Sequence, residues 1–270
     1  MQTFPTLFLS HRSPMMALDP GPTGAMFSRL AGALGKPRAI VMVSGHHLTA
    51  APEVGMAARP ETIYDFFGFP PPLYQIKYPA PGAVDIGEQI LQRLHDAGIA
   101  ARPNPQRGLD HGAWSPLLHM FPDADIPVVP LSIQPRMDAR HHYAMGCALA
   151  DLGSEGVLVI GSGNLTHNLR DIVRWEREAE TTPYVAEFQS WFAERLAAHD
   201  IDALLDWERS APHGSRAHPT DDHLLPIFVA LGAGGESAVT QRLYAGVDYG
   251  VLAMDAFAFG AATVALERFI

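Results

Sequence analysis

The sequence predicts an α/β fold, with a largely parallel central sheet, helices on both faces and a metal site at the carboxyl ends of the strands. Three observations lead there. Short continuous apolar runs end in small polar residues, as strands covered on both faces do. Between them lie runs with the 3.6-residue period of amphipathic helices. Histidines recur directly after the strands.

The strand candidates are residues 6–9, 39–43 and 157–160, with 127–133 as a fourth. Residues 84–95 place Ile86, Ile90, Leu91 and Leu94 on one stripe, and Gly98 supplies a stop. Residues 184–198 repeat the pattern with Phe188, Trp191, Phe192 and Leu196. Residues 59–81 are rich in Pro, Tyr and Phe and keep no regular period. They read as a long structured loop whose aromatics Tyr64, Phe66, Phe67 and Tyr74 want burial. With no internal repeat, low-complexity tract or composition break, residues 1–270 read as a single domain.

The formal net charge is -10, from 29 acids against 19 bases, which repels phosphate backbones and argues against a nucleic-acid partner. No basic run suits a membrane surface, no apolar run approaches the ~20 residues of a membrane span, and the N-terminus has no signal-peptide pattern. The expectation is a cytoplasmic protein. The single cysteine, Cys147, lacks the paired spacing of a thiolate metal site and reads as a small apolar core residue.

The 13 histidines are the unusual feature of the composition. In open α/β sheets ligands bind beyond the carboxyl ends of the strands. His11 directly follows the first strand, His46 and His47 follow the second, and His167 follows Gly161-Ser162-Gly163-Asn164 after another. A lone loop histidine is ordinarily solvated or hydrogen-bonded, but repetition at equivalent topological positions points to a shared site. His111 lies in Gly108-Leu109-Asp110-His111-Gly112, where the glycines permit close approach and Asp110 either orients the imidazole or belongs to an ordinary turn. His223 ends His218-Pro219-Thr220-Asp221-Asp222-His223, which also reads as a plain helix start with Thr220 as N-cap. Imidazole suits zinc, iron, copper and nickel. There is no H-E-x-x-H, no P-loop and no G-x-S-x-G elbow, and the glycines after the third strand lack the last glycine of a dinucleotide fingerprint.

Taken in order, Ser10-His11-Arg12-Ser13-Pro14-Met15, Ser44-Gly45-His46, Thr62-Ile63-Tyr64-Asp65-Phe66 with Gly68-Phe69-Pro70, and Asp110-His111-Gly112-Ala113-Trp114 form a set. Gly161-Ser162-Gly163-Asn164 with His167-Asn168-Leu169-Arg170, and His218-Pro219-Thr220 with His223, complete it. The set resembles the DODA-type extradiol aromatic ring-opening dioxygenases, 4,5-DOPA dioxygenase-like members of the class III extradiol superfamily, over nearly the whole chain.

The resemblance implies insertion of both atoms of O2 into a catechol-type substrate, DOPA-like or related, at a mononuclear non-haem metal. It implies one divalent ion per chain, Fe(II) for turnover with Zn(II) as the other candidate, bound by His11, His46 and His223 with His167 at or beside it. His167 and His111 then fall at the catalytic positions, as acid and base, and Tyr64 and Phe67 on the aromatic loop would shield the site. The partners implied are a small aromatic diol and O2, with monomer and homodimer both open. Two departures bear on substrate binding. Arg12 stands where the family has glycine, and either binds a substrate carboxylate or narrows the pocket. His47 stands where the family has tryptophan, a polar wall in place of an apolar one. A zinc-dependent hydrolase and a non-catalytic binding protein remain the alternatives.

Overall fold

The computed structural model describes residues 2–235, 239–260 and 266. Its strands are β1 (Thr6–Ser10), β2 (Ala39–Leu48), β3 (Glu53–Gly55), β4 (Arg102–Asn104), β5 (Val128–Ile133), β6 (Val157–Gly163), β7 (Thr240–Tyr244), β8 (Val247–Asp248), β9 (Leu252–Ala253) and β10 (Ala256–Phe259). Eight of them form one sheet in the order β4-β3-β5-β2-β6-β1-β10-β7, and β8 pairs with β9. The centre, β5-β2-β6-β1, is parallel, whereas β10 runs antiparallel to β1 and β3 antiparallel to β5. The parallel centre and mixed edges make a mostly parallel α/β sheet.

The helices are α1 (Gly21–Leu34), α2 (Val84–Asp96), α3 (His111–Met120), α4 (Ala139–Cys147), α5 (Pro183–Ala197), α6 (Ile201–Leu205), α7 (Trp207–Ser210), α8 (Gly214–Ala217) and α9 (Leu225–Ala233). They cover both faces, and the strand side chains alternate between two cores as the pleat requires. Phe8, Val41, Val43, Val157 and Val159 pack with Ile90, Met145, Phe188 and Phe228 on one face. Leu7, Leu9, Ile40, Met42, Leu158 and Ile160 pack with Phe27, Leu30, Trp114 and Leu117 on the other. Burial on both faces is why each strand reads as an unbroken apolar run. No helix among the described residues is long and apolar enough to cross a membrane.

Four expectations change. His46 and His47 sit inside β2 rather than after it, in a stretch where pairing with β5 breaks after Val43 and resumes at Leu48. Thr220 caps nothing, because residues 220–224 form turns and the helix begins at Leu225 with Pro226 fixing its first turn. Cys147 is exposed at the end of α4 instead of buried. In the 59–81 loop, Tyr78 and Leu73 are the buried anchors, while Phe67 is 90% exposed and Tyr74 also faces solvent.

The loop before α9 lies directly on the end of β6. Asn164 N–H donates to the His223 carbonyl at 2.8 Å, and a Cβ on Gly163 would sit 2.0 Å from that same oxygen. Gly163→Ala must therefore move backbone against backbone. We expect a loss of about 1–3 kcal/mol, read as a Tm lower by several degrees together with weaker divalent-metal binding. An unchanged Tm and metal affinity would show that the contact is not tight.

Candidate metal centre

Strand order sets the site. β6 lies between β1 and β2, so their carboxyl ends deliver His11 and His46 to one edge, and the β6-seated loop adds His223. His46 Nε2 lies 3.1 Å from His11 Nε2 and 3.2 Å from His223 Nε2. The opposite ring nitrogens of His11 and His223 are hydrogen-bonded, and that of His46 has a carboxylate beside it. Ser162 Oγ donates to the Gly112 carbonyl at 2.6 Å, so it must accept from His11 Nδ1–H at 2.9 Å. His223 Nδ1–H donates to Asp222 Oδ2 at 2.6 Å, and His46 Nδ1 faces Asp65 Oδ2 at 3.4 Å. This arrangement leaves a lone pair on each Nε2, all aimed at one point.

Burial keeps the rings neutral. It is the largest cause holding His11 well below the usual histidine range, with His46 and His223 adding to it. It lowers His46 to about 3 against the pull of Asp65, and His223 to about 4 against its hydrogen bond to Asp222. Burial pushes the Asp65 carboxyl up, but its hydrogen bonds from His111 outweigh that and bring it down to about 2. Three converging lone pairs without protons repel, and a divalent cation converts that repulsion into bonds. Imidazoles bound cis to one ion at ~2.1 Å hold their nitrogens about 3.0–3.4 Å apart, so the donor set fits such an ion.

Two more histidines border the cluster. His111, at the first turn of α3, is clamped by Asp65, which accepts from its backbone N–H at 2.9 Å and from Nδ1–H at 2.9 Å. Its ring is centred 4.0 Å from that of His46. His46, Asp65 and His111 also bring potential ligand atoms close together, and there each Asp65 oxygen accepts a hydrogen bond from His111. His167 stacks on His223 with ring centroids 3.6 Å apart and planes 9° from parallel. An imidazole binds metal in its own plane, so an ion in the plane of His223 lies off the lone-pair axes of His167. His167 is not among the three residues whose ligand atoms converge, and it lies beside them, lowered to about 3 by burial and then by His223.

The cluster floors a cavity of about 410 Å³. Phe66 and Phe69, not Tyr64 or Phe67, give the aromatic loop its share of the wall. Tyr64 instead donates its hydroxyl to the Ile76 carbonyl and rests against Trp114. His47 points to the opposite side of β2 from His46 and does not line the cavity; burial and then Arg107 lower it to about 3. Arg12 lines the cavity, yet its guanidinium is turned onto Asp248. Asp110, the sequence candidate for orienting His111, caps α3 through Ala113 N–H and accepts from Ser44 Oγ at 2.6 Å. The residues that do orient the rings are Asp65, Asp222 and Ser162. Asp222 could have been found from its adjacency to His223, whereas Asp65 is 46 positions from His111 and carried no signal of its own.

Residues 5–252 match the family described as the catalytic LigB subunit of aromatic ring-opening dioxygenase. The chain belongs to the LigB family. It is 39% identical over 258 residues to 4,5-DOPA dioxygenase extradiol of Beta vulgaris, covering 94% of this chain and 96% of the relative. The same-named protein of Escherichia coli K12 is 36% identical, covering 93% and 92%. A crystal structure of an uncharacterized Escherichia coli K12 protein superposes with a TM-score of 0.78 at 30% identity, covering 95% of this chain and all of that one. In this LigB-family chain the histidine cluster sits at the sheet edge where an α/β fold binds its ligands.

Stability should follow the neutral histidines. His46, His167, His223, His218 and His142 are all held near 3–4 when folded, with burial the largest cause, and return to about 6.5 when unfolded. The unfolded chain then binds more protons between those values, so stability rises with pH across that window. For metal-free protein we expect full stability above about pH 6.5 and a steep fall in Tm toward pH 4. A flat Tm over pH 4–7 would contradict the neutral assignment.

Proposed function

We propose that the protein is an extradiol ring-cleaving dioxygenase that inserts both atoms of O2 into a catechol-type substrate at a single non-haem metal. The observation that carries this reading is the convergence of three neutral imidazole lone pairs on the floor of a mostly apolar cavity. His11, His46 and His223 would hold one divalent ion per chain. That ion, Fe(II) for turnover, supplies the Lewis acidity and redox capacity that ring opening with O2 requires. Three neutral ligands leave the positive charge of the site uncompensated, which favours an anionic catecholate.

The chain's own residues then manage the protons. His167 makes no side-chain hydrogen bond among the described residues and is neutral, so it is free to accept a catechol hydroxyl proton. A catecholate placed beside it would raise its proton affinity, as any nearby negative charge does. His111 has its Nδ1–H committed to Asp65, which fixes the ring and leaves Nε2 as its working atom. Phe66 and Phe69 exclude water from the reacting ring.

The test is anaerobic reconstitution with Fe(II), metal analysis, and oxygen uptake with a panel of catechols. We expect one ion per chain and O2 consumption matched by ring-opened product. Metal-dependent hydrolysis without O2 uptake, or metal binding without turnover of any catechol, would overturn the reading. Replacing His11, His46 or His223 by Ala should abolish metal binding. His167→Ala should keep the metal and lower kcat by ~10²–10⁴-fold; loss of metal in that variant would mean that it is a ligand after all.

A further inference from the structure

The cavity has a polar floor and apolar walls. Above the histidines stand Met15, Phe66, Phe69, Leu169, Trp175 and Leu252. Leu169 and Trp175 are 51% and 70% exposed, an unusual amount of apolar surface to leave in water. The Trp175 ring is held 5.3 Å from that of Tyr249, which also lines the cavity. A substrate whose substituent lies along this wall would cover that surface.

Among the described residues lining the cavity, Arg12 is the only one with a permanent positive charge. Its side chain is only 2% exposed, and its Nε lies 3.0 Å from Asp248 Oδ2. Its Nη2 donates to the carbonyls of Asp19 at 2.6 Å and Pro20 at 3.0 Å. A substrate carboxylate that took the Nε edge of this guanidinium would have to displace Asp248, which is itself buried. That exchange would take the Arg12 charge from a buried carboxylate and leave it Arg177 alone, a penalty that offsets what one charge-assisted hydrogen bond returns. The charge that would recognise an anionic substituent is thus already neutralised from within the fold.

We propose that the site selects catechols whose ring substituent is uncharged and apolar, and that Asp248 enforces this choice by neutralising Arg12. The catechol core of this inference rests on the ring-opening reading above; the choice of substituent rests on the cavity walls and the Arg12–Asp248 pair. It separates this chain's substrate from a carboxylated catechol of similar size.

The experiment compares 4-propylcatechol with 3-(3,4-dihydroxyphenyl)propanoate. Binding to zinc-loaded protein is measured by calorimetry, and kcat/KM is measured with iron-loaded protein. We expect the neutral catechol to bind at least about tenfold tighter. Equal or tighter binding of the carboxylate would overturn the proposal. Asp248→Asn should release Arg12 and shrink that preference by about tenfold. An unchanged preference in a D248N protein with normal metal content and Tm would overturn the role of Asp248. Trp175 is exposed, so Trp175→Ala should fold. It should weaken 4-propylcatechol several-fold more than unsubstituted catechol, and equal losses for both would remove the apolar wall from the argument. Iron-loaded protein that opens no catechol while keeping the binding preference would sink the ring-opening reading and leave the selection intact.

Discussion

Three lone pairs meeting at one point are the constraint on which the rest of the structure depends. Neutral imidazoles gain nothing from each other at the 3.1–3.2 Å separations seen between their Nε2 atoms. The fold holds them there by hydrogen-bonding Nδ1 of His11 and of His223 and setting a carboxylate beside that of His46, and each contact comes from a different part of the chain. Ser162 at the end of β6 fixes His11 and is itself aligned by the Gly112 carbonyl. Asp222 fixes His223, and Asp65 from the aromatic loop faces His46. These outer contacts make the site a property of the whole sheet edge, and they set ring orientation before any ion arrives.

Bringing four segments to one edge requires backbones to touch. A Cβ on Gly112 would lie 2.5 Å from Ser44 Oγ and 3.0 Å from both His11 Cε1 and His46 Cδ2. At Gly163 the obstacle is the His223 carbonyl itself. Glycine at these two positions is therefore a packing requirement of the histidine cluster rather than a matter of turn flexibility. It explains why glycines flank the histidines in the sequence, even though the pattern alone does not say which neighbours they admit.

What the sequence disclosed follows from the range of each signal. The parallel strands were legible because burial on both faces leaves a local, unbroken apolar run. The edge histidines were legible because topology places whatever follows a parallel strand in the ligand-binding crevice. The end of β2 was misjudged because a strand that keeps its backbone direction through a pairing break has no compositional mark. Long-range contacts carried even less signal. Nothing near Asp65 announces that it will clamp His111, and Asp110, which sits beside that histidine in sequence, is spent on capping α3. Arg12 shows the same limit for charge: a guanidinium next to a candidate ligand looks like an anion receptor until the fold supplies Asp248, 236 positions away in the chain numbering.

The two histidines beside the cluster are unequal, and the difference bears on the proposed division of proton chemistry. Asp65 holds His111 by backbone and ring together, so its imidazole has one orientation and one working nitrogen. The same carboxylate faces Nδ1 of His46 at 3.4 Å. That double hold suits His111 to a fixed hydrogen bond. His167 has no such tether; it is held by stacking on His223, a contact that restrains the ring plane and leaves its nitrogens uncommitted. A group that must take a proton and later return it needs that freedom. In the proposed mechanism, orientation therefore falls to the clamped histidine and proton transfer to the stacked one.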